Sequence, residues 1–388
     1  MKNKIERDPW DIPLSTRKAE FLAAKKSGKK VALLLYPEEN KASSFRYRGY
    51  NIYQATKNSK EWQLVYFFTT ELGTVFDLVE GTDLLIFGRI TRWEPEYDEL
   101  SLLAKRNGAR VLQDLDDCVC GTYYIKETFN LICPDRTDQD YWINTCAHYE
   151  LISYLADGFI VTNDYLGQRL SETHNNKPYC VIRNFLCEEQ ISYAEELIKN
   201  KLTTKNDGFV MGYFSGSHTH AADFEVIFPE VIDFLSQHND AKLRIVGLLR
   251  LPESAKEYVR RGQIEFVPLV DFLTLGKLIS EVDVNLVPLD NNTFSNCKSD
   301  LKFYEAALVK TPTVASPTFA FKKAIKNGET GFLCRPGEWY DVLQKLYGET
   351  NLGKKIADNA REYCLNTYLP KVCVTEIEET YNFFTIKD

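Results

Sequence analysis

Short, continuously apolar runs separated by stretches of helical periodicity recur along this chain. That alternation limits the fold more than any other feature. The first run is 31–36 (VALLLY), followed by 64–69, 84–87, 110–113, 158–161 and 180–182. Strands that are apolar on both sides, rather than alternately apolar and polar, belong in a parallel sheet covered by helices on both faces. Helices are expected between them, at 16–26, from 45–50 onward, at 100–107, 146–156 and 164–171. After a helical stretch beginning at Glu188, the polar run KNKLTTKND marks a boundary, and the pattern restarts with an apolar strand at 208–214. Further strands are expected at 242–246, 264–267, 282–287 and 313–315, and helices at 224–237, 273–279, 339–346, 352–365 and 370–385. The length of 388 residues exceeds what one core usually serves. The expectation is an α/β chain of two Rossmann-like, doubly wound domains, 1–200 and 207–368, with ligands in a cleft between them at the carboxyl ends of strands.

Within the second half, NCKSDLKFYEAALVKTPTVAS (296–316) reads as a loop, a helix and a buried strand. Asn296 or Ser299 can cap the helix. Leu301, Tyr304, Ala307 and Leu308 form its apolar face, and Thr311-Pro312 stops it. Lys298, Lys302 and Glu305 fall at i, i+4 and i+7, on one polar stripe. A helix start flanked by two lysines suits a diphosphate, and Glu305 can accept bonds from a ribose diol. A solvated stripe with a Lys302–Glu305 pair is the plain alternative. The loop Ser215-Gly216-Ser217-His218-Thr219-His220 follows the strand that opens this half, where phosphates bind in such folds. Neither G-x-G-x-x-G nor a Walker lysine motif is present, so a dinucleotide cofactor is not expected.

In the first half, Asp114-Leu115-Asp116-Asp117 ends the fourth strand. Three acids there can hold a divalent ion with a phosphate, cap a helix, pair with arginine or orient an acceptor hydroxyl. Arg46 and Arg48, after the first strand, can pair with those acids or contact an anionic acceptor. Asn163 and Arg183 follow later strands on the same edge.

The net charge of −8 argues against a general nucleic-acid binder. No apolar run approaches the ~20 residues that span a bilayer, and the opening MKNKIERDPWDIP has no apolar signal-peptide core. Ten scattered cysteines without a C-x-x-C pair read as free thiols in a reducing cytoplasm.

These residues resemble a known family. GYFSGSHTHAADFEVI, LRIVG, IEFVP and the run from LISEVDVNLVP through KTPTVASPTFAFKKAIKNGETGFL are similar to the C-terminal half of GT-B glycosyltransferases. The closer likeness is to the retaining family-four group and its bacterial polysaccharide and rhamnan-type members. FRYRG, GARVLQDLDD, LADGFIVTNDYL and VIRNF resemble the acceptor domain of that group, so the likeness covers about residues 30–365. It implies a nucleotide-sugar donor in the second domain, its diphosphate on the amides of Ser299, Asp300 and Leu301, its ribose on Glu305, and its base near Pro268 and Leu269. It also implies a last helix, 369–388, crossing back to the first domain, and no metal or other cofactor. The family pattern departs at Cys297, where a sugar-facing glutamate is usual, and at Ser217, His218 and His220, where arginine and lysine are usual.

The resulting expectation is a cytoplasmic hexosyl- or deoxyhexosyltransferase acting on a glycan or lipid-linked acceptor, with peripheral membrane association open. Lys298, Lys302 and His218 would stabilise the departing diphosphate, with Ser215, Gly216, Ser217 and His220 on the donor. Asp116 and Asp117 would serve the acceptor hydroxyl, with Arg46, Arg48, Asp114, Asn163 and Arg183 binding the acceptor. An epimerase or hydrolase of the same fold, or an inactive binding relative, is the alternative.

Overall fold

The computed structural model describes residues 5, 7–38, 44–121, 123, 136–201, 208–216 and 221–386. They form two compact units. One comprises Arg7–Cys187, Cys297–Ser299 and the residues from Tyr368 onward; the other comprises Glu188–Asn296 and Asp300–Thr367. The sequence placed a boundary after residue 200, whereas packing assigns helix Glu188–Lys201 to the second unit, against helix Phe272–Ser280.

The first unit is built on six parallel strands: β1 (Lys30–Tyr36), β2 (Trp62–Phe68), β3 (Leu84–Gly88), β4 (Arg110–Leu115), β5 (Gly158–Val161) and β6 (Tyr179–Val181). Their order is β2-β1-β3-β4-β5-β6, so the winding direction reverses between β1 and β3. Both faces are covered, as continuous apolar strands require. Val31, Leu33, Leu35, Val65, Phe67, Leu85 and Phe87 pack with Phe21, Tyr97 and Leu100 from flanking helices. On the other face an aromatic cluster closes over the sheet. The Phe45 ring lies 5.0 Å from Tyr36, 4.9 Å from Tyr66 and 5.3 Å from Phe68.

That cluster explains the FRYRG run. Phe45 is followed by a π-helical turn, Arg46–Tyr50, continued by helix Asn51–Lys57. A Cβ on Gly49 would stand 2.2 Å from the Phe45 ring, so only glycine lets the turn close over it. Helix Pro370–Thr385 packs against helix Asn51–Lys57 and β6. Its Tyr381 ring meets Trp62 at 5.1 Å, and Asn382 Oδ1 accepts from the Trp62 indole at 3.0 Å.

The second unit repeats the plan with β7 (Phe209–Ser215), β8 (Ala241–Gly247), β9 (Ile264–Val267), β10 (Val284–Val287), β11 (Thr313–Ala315) and β12 (Phe332–Leu333). The order β12-β11-β10-β7-β8-β9, again all parallel, reverses between β7 and β10. Met211, Tyr213, Leu243, Ile245, Val284 and Leu286 form its core with Phe224, Phe234, Trp339 and Leu343. Helices Leu72–Leu78, Thr293–Cys297 and Phe319–Ala324 were not anticipated; each is five to seven residues, too short for periodicity to register.

Candidate functional site

Ligands in doubly wound sheets sit outside the carboxyl ends of the strands where the order reverses. In the first unit that place is the end of β1 and β3, with β4 beside it. Tyr36 ends β1 and Arg89 directly follows β3. Arg89 holds φ +44°, a left-handed conformation uncommon for a residue with a side chain. Its Nη1 donates to Ser44 Oγ and to Asp116 Oδ1, each at 2.7 Å, and lies 3.6 Å from Asp117 Oδ2. Its Nε is 3.5 Å from the Tyr149 hydroxyl. Among the described residues the buried Tyr36 Oη has no hydrogen-bond partner, and burial raises the phenol well above its ordinary pKa against the opposing charge of Arg89. Burial also raises Asp117, opposed first by Lys298 and then by Arg89. Arg89, Tyr36, Ser44 and Tyr149 were missed by sequence reasoning. Arg89 carried one available signal, an arginine immediately after a buried apolar strand.

Several residues expected to bind the acceptor are occupied structurally. Arg48 and Asp114 form a two-pronged pair, Nε–Oδ1 and Nη2–Oδ2 both at 2.7 Å, with side chains 0% and 3% exposed. Arg48 Nη1 also donates to the Ile182 carbonyl at 2.6 Å and to Asn184 Oδ1 at 3.1 Å. Burial raises the Asp114 carboxyl against the pull of Arg48. The pair braces β4 against the 46–50 turn and presents no charge to a ligand. Arg46 is buried over the Tyr47 ring and donates to the Tyr47 hydroxyl. Asn163 caps helix Asp164–Thr173 through Leu166 N and donates to the carbonyls of Cys297 and Lys298, both at 3.0 Å. Arg183 pairs with Glu376 of the C-terminal helix at 2.9 Å. Asp116 and Asp117, beside the switch point, are engaged in turn by Arg89.

The segment 296–305 also differs from the simple stripe. Helix Thr293–Cys297 precedes it, the break falls at Lys298-Ser299-Asp300, and the next helix is Leu301–Leu308. Lys298 therefore lies off the helix, and only Lys302 and Glu305 share its face. Neither expected cap serves. Asn296 Oδ1 accepts from Phe319 N at 2.7 Å, Ser299 Oγ accepts from Asn184 at 3.1 Å, and Asp300 occupies the cap position, its side chain making no capping hydrogen bond. Residues 297–299 pack with the first unit and Asp300 onward with the second. Cys297 is fully buried, and its thiol is raised by a hydrogen bond with Cys118 and by burial.

In the second unit, Lys302 Nζ lies 5.4 Å from the centre of the Tyr213 ring on β7. Glu305 is 7% exposed and accepts from Gln190 Nε2 at 3.0 Å. Glu305, but not Lys302, lines a small pocket whose walls include Gln190, Tyr193, Phe272, Gly276 and Leu308. Ser215 is buried at the end of β7, and Gly216 is exposed with open space where a Cβ would stand. Gly247 ends β8 at φ +98°, and a Cβ there would meet the Ser215 carbonyl at 2.0 Å. Leu269, after β9, is 54% exposed beside Pro268, which is exposed too. Ser217, His218 and His220 lie outside the described residues. Among the described residues no group of three or more His, Cys, Asp or Glu side chains is arranged to hold a metal ion, and no helix is long and apolar enough to cross a membrane.

Residues 210–348 match the family described as Glycosyl transferases group 1. The capsular polysaccharide biosynthesis glycosyltransferase CapM of Staphylococcus aureus is 25% identical over 206 residues, 49% of this chain and 51% of that protein. The match thus spans about half the length of that curated relative. HepE of Anabaena, solved in complex with UDP, superposes with a TM-score of 0.57 at 16% identity, over 91% of this chain and 100% of that one. A glycosyltransferase from Rickettsia africae superposes with a TM-score of 0.62 at 13% identity, over 93% and 100%. The second unit is thus similar to the group 1 glycosyl transferases over residues 210–348, and the chain as a whole has the GT-B fold of two Rossmann-like domains.

Proposed function

We propose that this protein is a glycosyltransferase of polysaccharide biosynthesis. It moves a hexosyl or deoxyhexosyl group from a nucleotide-diphosphate sugar to a glycan or lipid-linked acceptor, with retention and without a metal. The observation that carries the reading is the start of helix Leu301–Leu308 inside a group 1 domain, with Lys302 and a buried Glu305 one turn apart on it. The free amides and dipole of the helix start favour an anion, and Lys302 adds a cation. Donors already aimed at the departing diphosphate stabilise the charge that develops as the glycosidic bond breaks. Glu305, which accepts from Gln190, is a carboxylate able to accept from a ribose diol as well. The HepE structures with UDP and with UDP-glucose, and the name of CapM, support the class of donor and of pathway.

Calorimetry with UDP, GDP, dTDP and pyrophosphate tests the donor site. Glu305→Gln is expected to weaken the nucleoside diphosphate that binds by roughly 10- to 100-fold, the worth of one or two hydrogen bonds to a charged group, and to leave pyrophosphate unchanged. Lys302→Ala is expected to weaken both. Equal losses for both ligands in Glu305→Gln would remove the ribose role, and no binding by any nucleoside diphosphate would remove the donor reading. Cys297 favours a second reading, an inactive relative, because a fully buried thiol offers a sugar nothing. Turnover of a nucleotide sugar excludes it, and product analysis without acceptor separates transfer from epimerisation.

A further inference from the structure

We infer that Gln190 is a positioning residue for the Glu305 carboxylate, holding it so that the donor site prefers a ribonucleoside diphosphate to its 2′-deoxy counterpart. The inference rests on the donor reading above and names the residue on which the pentose selectivity of that site depends.

Glu305 is an acid in an apolar place. Every residue of its helix from Phe303 to Leu308 is buried, Glu305 included. A carboxylate is seldom taken so far out of water unless a partner is built for it. Gln190, 115 residues earlier in the chain, supplies one: its Nε2 donates to Glu305 Oε1 at 3.0 Å, and Gln190 is itself only 8% exposed. The two side chains line the small pocket between helices Glu188–Lys201, Phe272–Ser280 and Leu301–Leu308, whose other walls include Tyr193, Leu197, Phe272 and Leu308. The first of these helices packs on the second, and the second on the third. Asp271 caps the middle one through Leu273 N and Thr274 N, each at 2.9 Å, which fixes where that wall begins. Between such apolar walls water competes weakly, so the amide–carboxylate bond is stronger than it would be on the surface.

The chemistry of this pair suits a diol. An amide is a neutral donor, so its bond directs the carboxylate without cancelling the charge that makes it a strong acceptor. A carboxylate offers about four lone-pair sites, and one bond from Gln190 does not exhaust them. Held in one orientation before the nucleotide arrives, the side chain has less rotamer freedom to lose on binding. The 2′- and 3′-hydroxyls of ribose bring two donors to it, whereas a 2′-deoxyribose brings one. A site built to bond a hydroxyl rejects the analogue that lacks it, because the buried acceptor is then left unpaired. Lys302 acts on the diphosphate, which both kinds of nucleotide carry, and so does not discriminate between them.

The test compares wild type, Gln190→Met, Gln190→Asn and Glu305→Gln. Calorimetry measures the affinities of UDP, GDP, ADP and CDP against those of their 2′-deoxy forms, with pyrophosphate in parallel. Wild type is expected to favour the ribonucleotide it binds best over the 2′-deoxy form by roughly 10- to 100-fold. Gln190→Met keeps the length of the side chain and removes its donor; it is expected to bring that ratio below about 3-fold and to leave pyrophosphate unchanged. A glutamine that only braced the helices would weaken every ligand together and leave the ratio as it was. An unchanged ratio in Gln190→Met therefore overturns the inference, and a reduced ratio in Glu305→Gln beside it keeps the donor reading intact. If Gln190→Met does not fold, Gln190→Asn takes its place: its amide is withdrawn by one methylene, and an unchanged ratio there overturns the inference. A wild type that binds ribose and 2′-deoxyribose forms equally overturns it together with the diol role of Glu305. If no nucleoside diphosphate binds, the donor reading itself falls, and this one with it.

Discussion

Replacing Arg48 by methionine should unfold the first domain more readily while leaving the second domain's nucleotide site alone. The guanidinium makes two 2.7 Å bonds to Asp114 and further bonds to the Ile182 carbonyl and Asn184, in a place where neither side chain of the pair meets water. Removing one partner of such a pair strands the other charge in a medium that solvates it poorly, which costs about 3–5 kcal/mol. At about 2–4 °C per kcal/mol for a domain of this size, the melting temperature should fall by roughly 6–20 °C. Thermal and urea denaturation followed by far-UV circular dichroism reads this directly. Arg48→Met/Asp114→Leu should recover much of the loss, because two apolar groups of similar volume leave no orphaned charge. The pH dependence has a definite sign. Burial already raises Asp114, and Arg48 is what opposes it. Without Arg48 the folded carboxyl sits higher still, so the folded state holds a proton that the unfolded state has released. Stability of the variant then rises as pH falls through the folded pKa, and its deficit against wild type should be larger at pH 8 than at pH 5. A loss under about 1 kcal/mol, accompanied by a large loss of acceptor turnover, would refute the structural assignment. It would return Arg48 and Asp114 to the acceptor site.

Two smaller predictions follow from the same packing. Gly49→Ala places a methyl 2.2 Å from the Phe45 ring, so the turn or the ring must move; a loss of about 1–3 kcal/mol in urea denaturation is expected, and a neutral result would mean the aromatic cluster yields freely. His174 is lowered by burial, with Nδ1 against the Leu170 carbonyl at 2.8 Å; the unfolded state therefore takes up a proton first, and stability present above about pH 6.5 is lost as pH falls through that value. His174→Gln should flatten this slope between pH 7.5 and 5.5, and an unchanged slope would show that another group carries it.

The second domain was the more legible half because its chemistry is local in sequence. Lys302, Glu305 and the helix start that carries them lie within five residues of one another, and helical spacing alone puts the two side chains on one face. Even there the reading overreached by one position. Lys298 was placed on the stripe because nothing in NCKSDLKF announces that a separate short helix ends at Cys297. The acceptor side was harder. Asp114, Asn163 and Arg183 were singled out as polar residues at or after strand ends, and Arg48 in the stretch after the first strand, yet each is engaged by a partner remote in the chain, such as Glu376 for Arg183, 193 residues away. Which polar residue braces the fold and which faces a ligand is a matter of those partners.

Composition and periodicity by themselves thus determined the class of fold: two parallel doubly wound sheets with helices on both faces. Strands apolar on both sides cannot be stable any other way. Tertiary structure alone decided where the sheets reverse, at β1/β3 and β7/β10, and hence which strand ends face a ligand. It alone paired Arg48 with Asp114 and brought Arg89 to Asp116 and Tyr36. The physical reason is the same in each case. Burial along a strand or helix is a short-range pattern with a fixed period, whereas the cost of an unpaired buried charge is met by any partner the fold can bring within 3 Å, however far away it lies in the chain.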